Sequence, residues 1–203
     1  AKVALCLDVS GSMSSLYSSG VVQRLAERVL ALGLNFDDDG SIDVFTFGGS
    51  ATYYGGMGLD NFRGFVTSMP LEGATDYSAA CRLIREVYFG NSGQRVGTLT
   101  VPNPVYVMFV TDGDTSNRPA VEEQMRWSSA EPIFWEFMGV GGSTGGLSFL
   151  QSLDNLSGRM VDNAHYFNAA NPDNLSDTDL YDRMLTEYPG WVNQVKSRGL
   201  VTV

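Results

Sequence analysis

Apolar and polar positions along the chain follow two rhythms, and the order in which those rhythms alternate predicts the fold class. Val3 to Leu7 is a short apolar run that ends at Asp8, with the length and composition of a strand. Val22, Leu25, Val29 and Leu32 then recur at the spacing of one helix face. Ile42 to Phe47 reads as a second strand, and Ala51 to Tyr54 follows after only Gly48-Gly49-Ser50. A link so short holds no crossover, so this pair is expected to be antiparallel, with the third strand at an edge of the sheet.

Further on, Asn61 to Ser68 is expected to form a short helix. Ala80, Leu83, Ile84, Val87 and Tyr88 mark a longer helix from about Asp76, and residues 90–104, rich in Gly, Asn, Ser, Thr and Pro, read as a surface loop. Val105 to Val110 is almost wholly apolar and stops at Thr111-Asp112-Gly113, the pattern of a central strand buried on both faces. A helix from about Pro119, a strand over Ile133 to Val140, a short helix near Leu147, a strand over Met160 to Phe167 and closing helices over Asn174 to Tyr188 complete the series. Strands alternating with helices predict an α/β domain whose mostly parallel sheet is covered on both faces. With no repeat and no linker, residues 1–203 are expected to form one such domain.

Length and composition agree with that architecture: 203 residues, 43% of them hydrophobic and 11% aromatic, are enough for one real core in a globular protein. No apolar run approaches the ~18 residues that a membrane-spanning helix needs. Ala1 to Asp8 lacks the basic start and cleavage site of a secretory signal, so a cytoplasmic protein is expected. A net charge of −10 repels phosphate backbones and anionic bilayers, which argues against a nucleic-acid or membrane partner. Cys6 and Cys81 lie in apolar segments and are expected to pack as small hydrophobes.

The candidate chemistry sits where strands end. In open α/β sheets, ligands gather at the carboxyl edge near the point where strand order reverses. Directly after the first strand, Asp8-Val9-Ser10-Gly11-Ser12 puts a carboxylate and two hydroxyls at alternate positions. Gly11 is expected to lend that turning loop its conformational freedom. Asp112 follows the central strand, and Thr75 precedes the second main helix. Asp8, Ser10, Ser12, Thr75 and Asp112 are hard oxygen donors suited to Mg²⁺, with Mn²⁺ or Ca²⁺ as alternatives. Zinc is not expected at this set, since the lone His165 and the two cysteines lie far from zinc-ligand spacing.

Asp8-Val9-Ser10-Gly11-Ser12, then Thr75, then Thr111-Asp112-Gly113, resembles the metal-ion-dependent adhesion site of von Willebrand factor type A (vWA) domains in order and spacing. Phe36 to Asp43 and Gly73-Ala74-Thr75-Asp76-Tyr77 further resemble the bacterial tellurium-resistance and stress-response type. The resemblance implies a three-layer, doubly wound sheet of order 3-2-1-4-5-6 with strand 3 antiparallel. It also implies that Ser10, Ser12 and sometimes Thr75 touch the ion directly, while Asp8 and Asp112 often act through water. A protein partner then supplies an Asp or Glu carboxylate to the open position. Asp114, close after Asp112, is a departure that adds a negative charge to the rim.

Other readings compete with an adhesion-type module that catalyses nothing. Two aspartates at strand ends with Mg²⁺ also suit a phosphoester hydrolase, but the second position after Asp8 is Ser10 and not a second carboxylate, and His165 reads as a packed edge residue. Gly139 to Gly146 is glycine-rich without the register of a phosphate loop and reads as a connection. Asn35 to Asp43 partly matches a calcium loop, yet Thr46 stands where a bidentate Glu belongs, so a tight acidic turn is expected. Asp173, Asp177, Asp179, Asp182 and Glu187 read as the solvated face of the last helices, with Leu175, Leu180, Met184 and Leu185 turned inward.

Overall fold

The computed structural model describes residues 1–36, 40–142 and 147–202. Asp37 to Asp39 of the expected acidic turn, and Ser143 to Gly146 of the glycine-rich stretch, lie outside the described residues. The strands are β1 (Lys2–Asp8), β2 (Ser41–Phe47), β3 (Ala51–Gly58), β4 (Val105–Thr111), β5 (Ile133–Gly139) and β6 (Ala164–Asn168). Between and after them run α1 (Ser14–Ser18), α2 (Val21–Phe36), α3 (Tyr77–Phe89), α4 (Arg118–Ser128), α5 (Leu147–Asp154), α6 (Asp177–Met184) and α7 (Tyr188–Ser197). The sheet order is β3-β2-β1-β4-β5-β6, parallel except for the antiparallel β2–β3 pair.

The apolar strands are continuous because both sheet faces are covered. Val3, Leu5 and Leu7 join Tyr106, Met108 and Val110 under α2, α6 and α7. Ala4, Cys6, Val107 and Phe109 face Tyr77, Cys81 and Ile84 of α3, with Val121 of α4 and Leu150 of α5 beside them. Every residue of β4 is buried, as expected of a central parallel strand. Cys6 and Cys81 are free and buried, and burial pushes the Cys81 thiol up to about 12, so both pack as small apolar groups.

Three expected elements differ. Asn61 to Ser68 forms turns rather than a helix: Gly64 takes φ +70°, and Gln23 of α2 captures the segment through Phe62 O at 2.7 Å and Val66 N at 3.1 Å. The last strand begins at Ala164 instead of Met160, because Met160 N donates to Ser129 Oγ at 2.8 Å and not to a neighbouring strand. β3 runs on to Gly58: after a register shift between Phe45 and Val44, Gly55 and Gly56 pair with Val44 and Asp43. Leu180 and Met184 turn inward as expected, while Asp173 and Asp177 pair with Arg24 and Arg28 of α2 at 2.6 and 2.7 Å. Among the described residues no helix is long and apolar enough to cross a membrane.

Candidate metal centre

Strand order reverses at β1 and β4, and the residues singled out in the sequence converge at that carboxyl edge. Asp8 closes β1 and is completely buried. Its Oδ1 accepts from Ser10 N at 2.7 Å, and its Oδ2 accepts from Thr111 Oγ1 at 2.5 Å. The first bond folds the chain back at Val9; the second ties the ends of the two central strands together. Ser10 Oγ lies 3.1 Å from Ser12 Oγ, and Ser12 Oγ donates to Asp112 Oδ1 at 2.8 Å. One line of oxygens therefore runs from the buried Asp8 loop through Ser10 to the exposed Ser12 and half-buried Asp112.

Local structure follows from the loop's own chemistry. Gly11 opens a single 3₁₀ turn, Gly11–Met13, which leads into α1 and buries Met13. The expected need for glycine freedom at this position is not met: Gly11 is absent from the positive-φ residues, and a Cβ there would meet only Glu72 O, at 3.9 Å. Gly48 is the demanding glycine, because a Cβ there would stand 2.5 Å from the Glu72 side chain. Glu72 holds the neighbouring loop in place: its N–H donates to Val9 O at 2.7 Å, and its Oε2 accepts from Gly49 N at 2.9 Å.

Thr75 reaches the same rim on that loop. Its carbonyl accepts from Ser116 N at 2.9 Å, and the next N–H, of Asp76, donates to Gly48 O at 2.8 Å. Asp76 then caps α3 by accepting from Ser78 N. The hydrogen bonds joining Asp8, Ser10, Ser12 and Asp112 do not extend to the Thr75 hydroxyl, so Thr75 is brought to the edge by its backbone alone. Tyr77 is the residue that sequence reading missed. Its hydroxyl lies 3.1 Å from Thr111 Oγ1 and donates to Gly113 O at 2.5 Å, while its N–H donates to Thr115 Oγ1 at 3.1 Å. It braces the Thr111 to Thr115 loop from beneath, a role that apolar spacing alone disguises as core.

Electrostatically the rim is one-sided. Burial raises the Asp8 carboxyl above its ordinary range, the Ser10 and Thr111 hydrogen bonds offset part of that, and Asp112 adds to the rise. No cation figures among the groups acting on Asp8. Asp114 turns away into an exposed ion pair with Arg118, one turn further on. The extra charge noted in the sequence is thus spent on α4 and not on the oxygen line. A buried carboxylate next to two hydroxyls and a second carboxylate fits a hard dication in donor type and in charge.

Comparison with known proteins agrees with the architecture. Residues 1–201 match the vWA-TerF-like family, described as the vWA domain found in the TerF C terminus. YcbR of Bacillus subtilis (strain 168) is 32% identical over 210 residues, covering 99% of this chain and 81% of that protein. Proximal thread matrix protein 1 from the mussel byssus aligns with a TM-score of 0.63 at 17% identity over 91% of this chain. The chain spans 45% of the mussel protein's length, and that protein is also known with a zinc-occupied MIDAS motif. BatB from Bacteroides thetaiotaomicron aligns with a TM-score of 0.58 at 15% identity, over 93% of this chain and 98% of that one. The six-stranded order, the antiparallel β3 and the family match over nearly the whole length lead to one conclusion: the chain is a vWA domain of the vWA-TerF-like family.

Proposed function

We propose that the chain is a divalent-cation-dependent protein-binding module, in which Asp8, Ser10, Ser12, Thr75 and Asp112 hold one Mg²⁺ and a partner protein completes its shell with an Asp or Glu carboxylate. The observation that carries this reading is the oxygen line itself: a fully buried Asp8 at one end, on which no cation acts among the described residues, and exposed Ser12 at the other. Asp8 and Asp112, reached through hydroxyls and water, leave the ion short of directly bound negative charge. Such an ion retains appetite for an outside carboxylate. The family's TerF connection makes a bacterial tellurium-resistance or stress-response system the natural setting for that partner.

A binding role suits these residues better than phosphoester hydrolysis. Position 10 is a hydroxyl where a hydrolase of this layout needs a second acid, and Asp114, the next acid along the Asp112 loop, is paired with Arg118. The test is calorimetric titration of metal-stripped protein with Mg²⁺, Mn²⁺ and Ca²⁺, beside Asp8→Ala. One site lost with Asp8→Ala, in a variant whose circular dichroism is unchanged, is the expected result. A metal response fully retained in Asp8→Ala would sink the proposal, and Mg²⁺-dependent cleavage of a generic phosphoester that disappears with Asp8→Ala would replace it with the hydrolase.

A further inference from the structure

A second set of metal donors stands at the open edge of the sheet. One carboxylate oxygen of Asp154, one ring nitrogen of His165 and one carboxylate oxygen of Glu187 all lie within 4.8 Å of one another. They come from three places: the last residue of α5, the second residue of β6, and the residue just before α7. None belongs to the Asp8 rim, which is at the carboxyl end of β1, while β6 is the outermost strand with β4 and β5 between. The sequence offered no sign of this, because 11 and 22 positions separate the three residues and only the fold unites them.

The histidine is held as metal-binding histidines are held. In the β5–β6 register His165 lies opposite Glu136, and His165 Nδ1 is 2.7 Å from Glu136 Oε1. With Nδ1 donating to that carboxylate, Nε2 keeps its lone pair and the ring is fixed in orientation, the carboxylate–histidine arrangement that supports a metal on the far nitrogen. Glu136 is completely buried, and its Oε2 has no hydrogen-bond partner among the described residues. A half-satisfied buried carboxyl is costly by itself. A dication on Nε2 polarises the Nδ1–H and strengthens the one bond Glu136 has.

The surroundings offset only part of the charge. Three carboxyls, Glu136, Asp154 and Glu187, act on one imidazole; Arg159 donates to Asp154 O at 2.6 Å, pairs with Asp162 at 2.7 Å and acts on Glu187 from there. Asp154 also accepts from the edge amide of Tyr166 at 3.3 Å, so it is tied to β6 itself. One imidazole with two carboxylates suits a borderline ion such as Zn²⁺. Donor atoms around a tetrahedral zinc stand about 3.4 Å apart at ordinary bond lengths, so donors that now lie within 4.8 Å of one another move inward to fill three positions, and water takes the fourth.

We infer that Asp154, His165 and Glu187 form a zinc site, oriented by Glu136 and independent of the Asp8 rim, that staples α5 on one face of the sheet to the start of α7 on the other around the β6 edge. Such a staple replaces a missing neighbouring strand at the place where an α/β sheet is least secured.

The experiment is calorimetric titration of Mg²⁺-saturated full chain with Zn²⁺, with melting followed in parallel. The expected result is one Zn²⁺ per chain and a raised melting temperature, both kept in Asp8→Ala. Glu136→Gln is expected to weaken zinc about 10- to 100-fold, as loss of an orienting partner does, and His165→Ala or Glu187→Gln to weaken it further. Glu187 is half-buried ahead of a helix, so its variant carries the test even if His165→Ala folds poorly. No zinc uptake by the Mg²⁺-saturated wild type overturns the inference. So does uptake that survives both His165→Ala and Glu187→Gln, or uptake lost with Asp8→Ala, which assigns the zinc to the rim.

Discussion

Asp8 and Glu131 are both carboxyls without solvent exposure, one at the carboxyl edge of the sheet and the other just ahead of β5 at the amino edge, yet their partners differ in kind. Glu131 receives the fork of Arg85, from Nε at 2.8 Å and Nη2 at 3.0 Å, and Arg95 Nε at 3.0 Å. The remaining Arg85 donors go to Gln124 Oε1 and to the carbonyls of Ser92 and Gly93. All five N–H donors of the guanidinium are thereby used. Asp8 receives neutral donors, the Thr111 hydroxyl and the Ser10 amide, with the Ser10 hydroxyl also acting on it. A carboxylate closed off by arginine is part of the scaffold; one supplied with neutral donors and placed beside a second carboxylate is what the proposed cation site requires. The difference separates structure from function more surely than burial or residue type does.

The largest effect is expected from breaking the closed pair. Arg85→Met leaves Glu131 buried with Arg95 as its remaining ion partner and takes one donor each from the carbonyls of Ser92 and Gly93, which keep Gln124 and Asn91, and removal of one partner of a buried pair costs about 3–5 kcal/mol. Urea unfolding measures it, and a loss no larger than that of a surface substitution would refute the scaffold role. Next comes the open carboxylate. Mg²⁺ at about a hundredfold excess over Kd stabilises a one-site binder by about 2.7 kcal/mol, and Asp8→Ala is expected to erase that increment while shifting metal-free stability far less than Arg85→Met does. Were the two variants to cost the same without metal, the contrast between the sites would be lost.

A smaller effect sharpens the comparison at the hinge between core and rim. Tyr77→Phe keeps the ring packed against Phe47 and Phe109 but removes the hydroxyl that donates to Gly113 O. A buried hydrogen bond of this sort contributes about 1 kcal/mol net, with a further cost of about 1–3 kcal/mol if the stranded acceptor stays dry. Thermal melts should register that loss, and weakened Mg²⁺ affinity should accompany it if the Thr111 to Thr115 loop positions Asp112. Loss of stability with affinity untouched would confine Tyr77 to the core.

Much of this was legible in the sequence, for reasons that can be named. β1, β4 and α2 were readable because burial on two faces, or on one stripe, writes itself as an apolar run or a helical period. The oxygen set was readable because its donors follow strands directly, at Asp8 and Asp112. What escaped depends on contacts between distant residues. Gln23 binding Phe62 and Val66 turned an expected helix into turns, and Ser129 holding Met160 N delayed β6. Tyr77 was given no role because its ring is core and only its hydroxyl serves the rim. His165 was read as a packed edge residue and is one, half-buried on β6 and stacked with Phe167; its neighbours Glu136, Asp154 and Glu187 are linked to it by no spacing in the sequence.

The smallest expected effect bears on which acids count as part of the rim. Asp114 is only two positions beyond Asp112, and a charge count taken from sequence would place it in the metal shell. In the fold it accepts from Thr115 N at 2.8 Å and from Nε and Nη2 along one edge of the Arg118 guanidinium, and Arg118 in turn lies over the Phe149 ring at 5.1 Å. An exposed pair held in this way is screened by water and neutralised locally. Asp114→Asn should therefore leave Mg²⁺ affinity unchanged in the same titration that Asp8→Ala abolishes. A clear loss of affinity would bring Asp114 into the shell, raise the ion's bound negative charge and weaken the case that it seeks a partner's carboxylate. An unchanged value would leave the ion short of charge, which is the condition the adhesion-type reading requires.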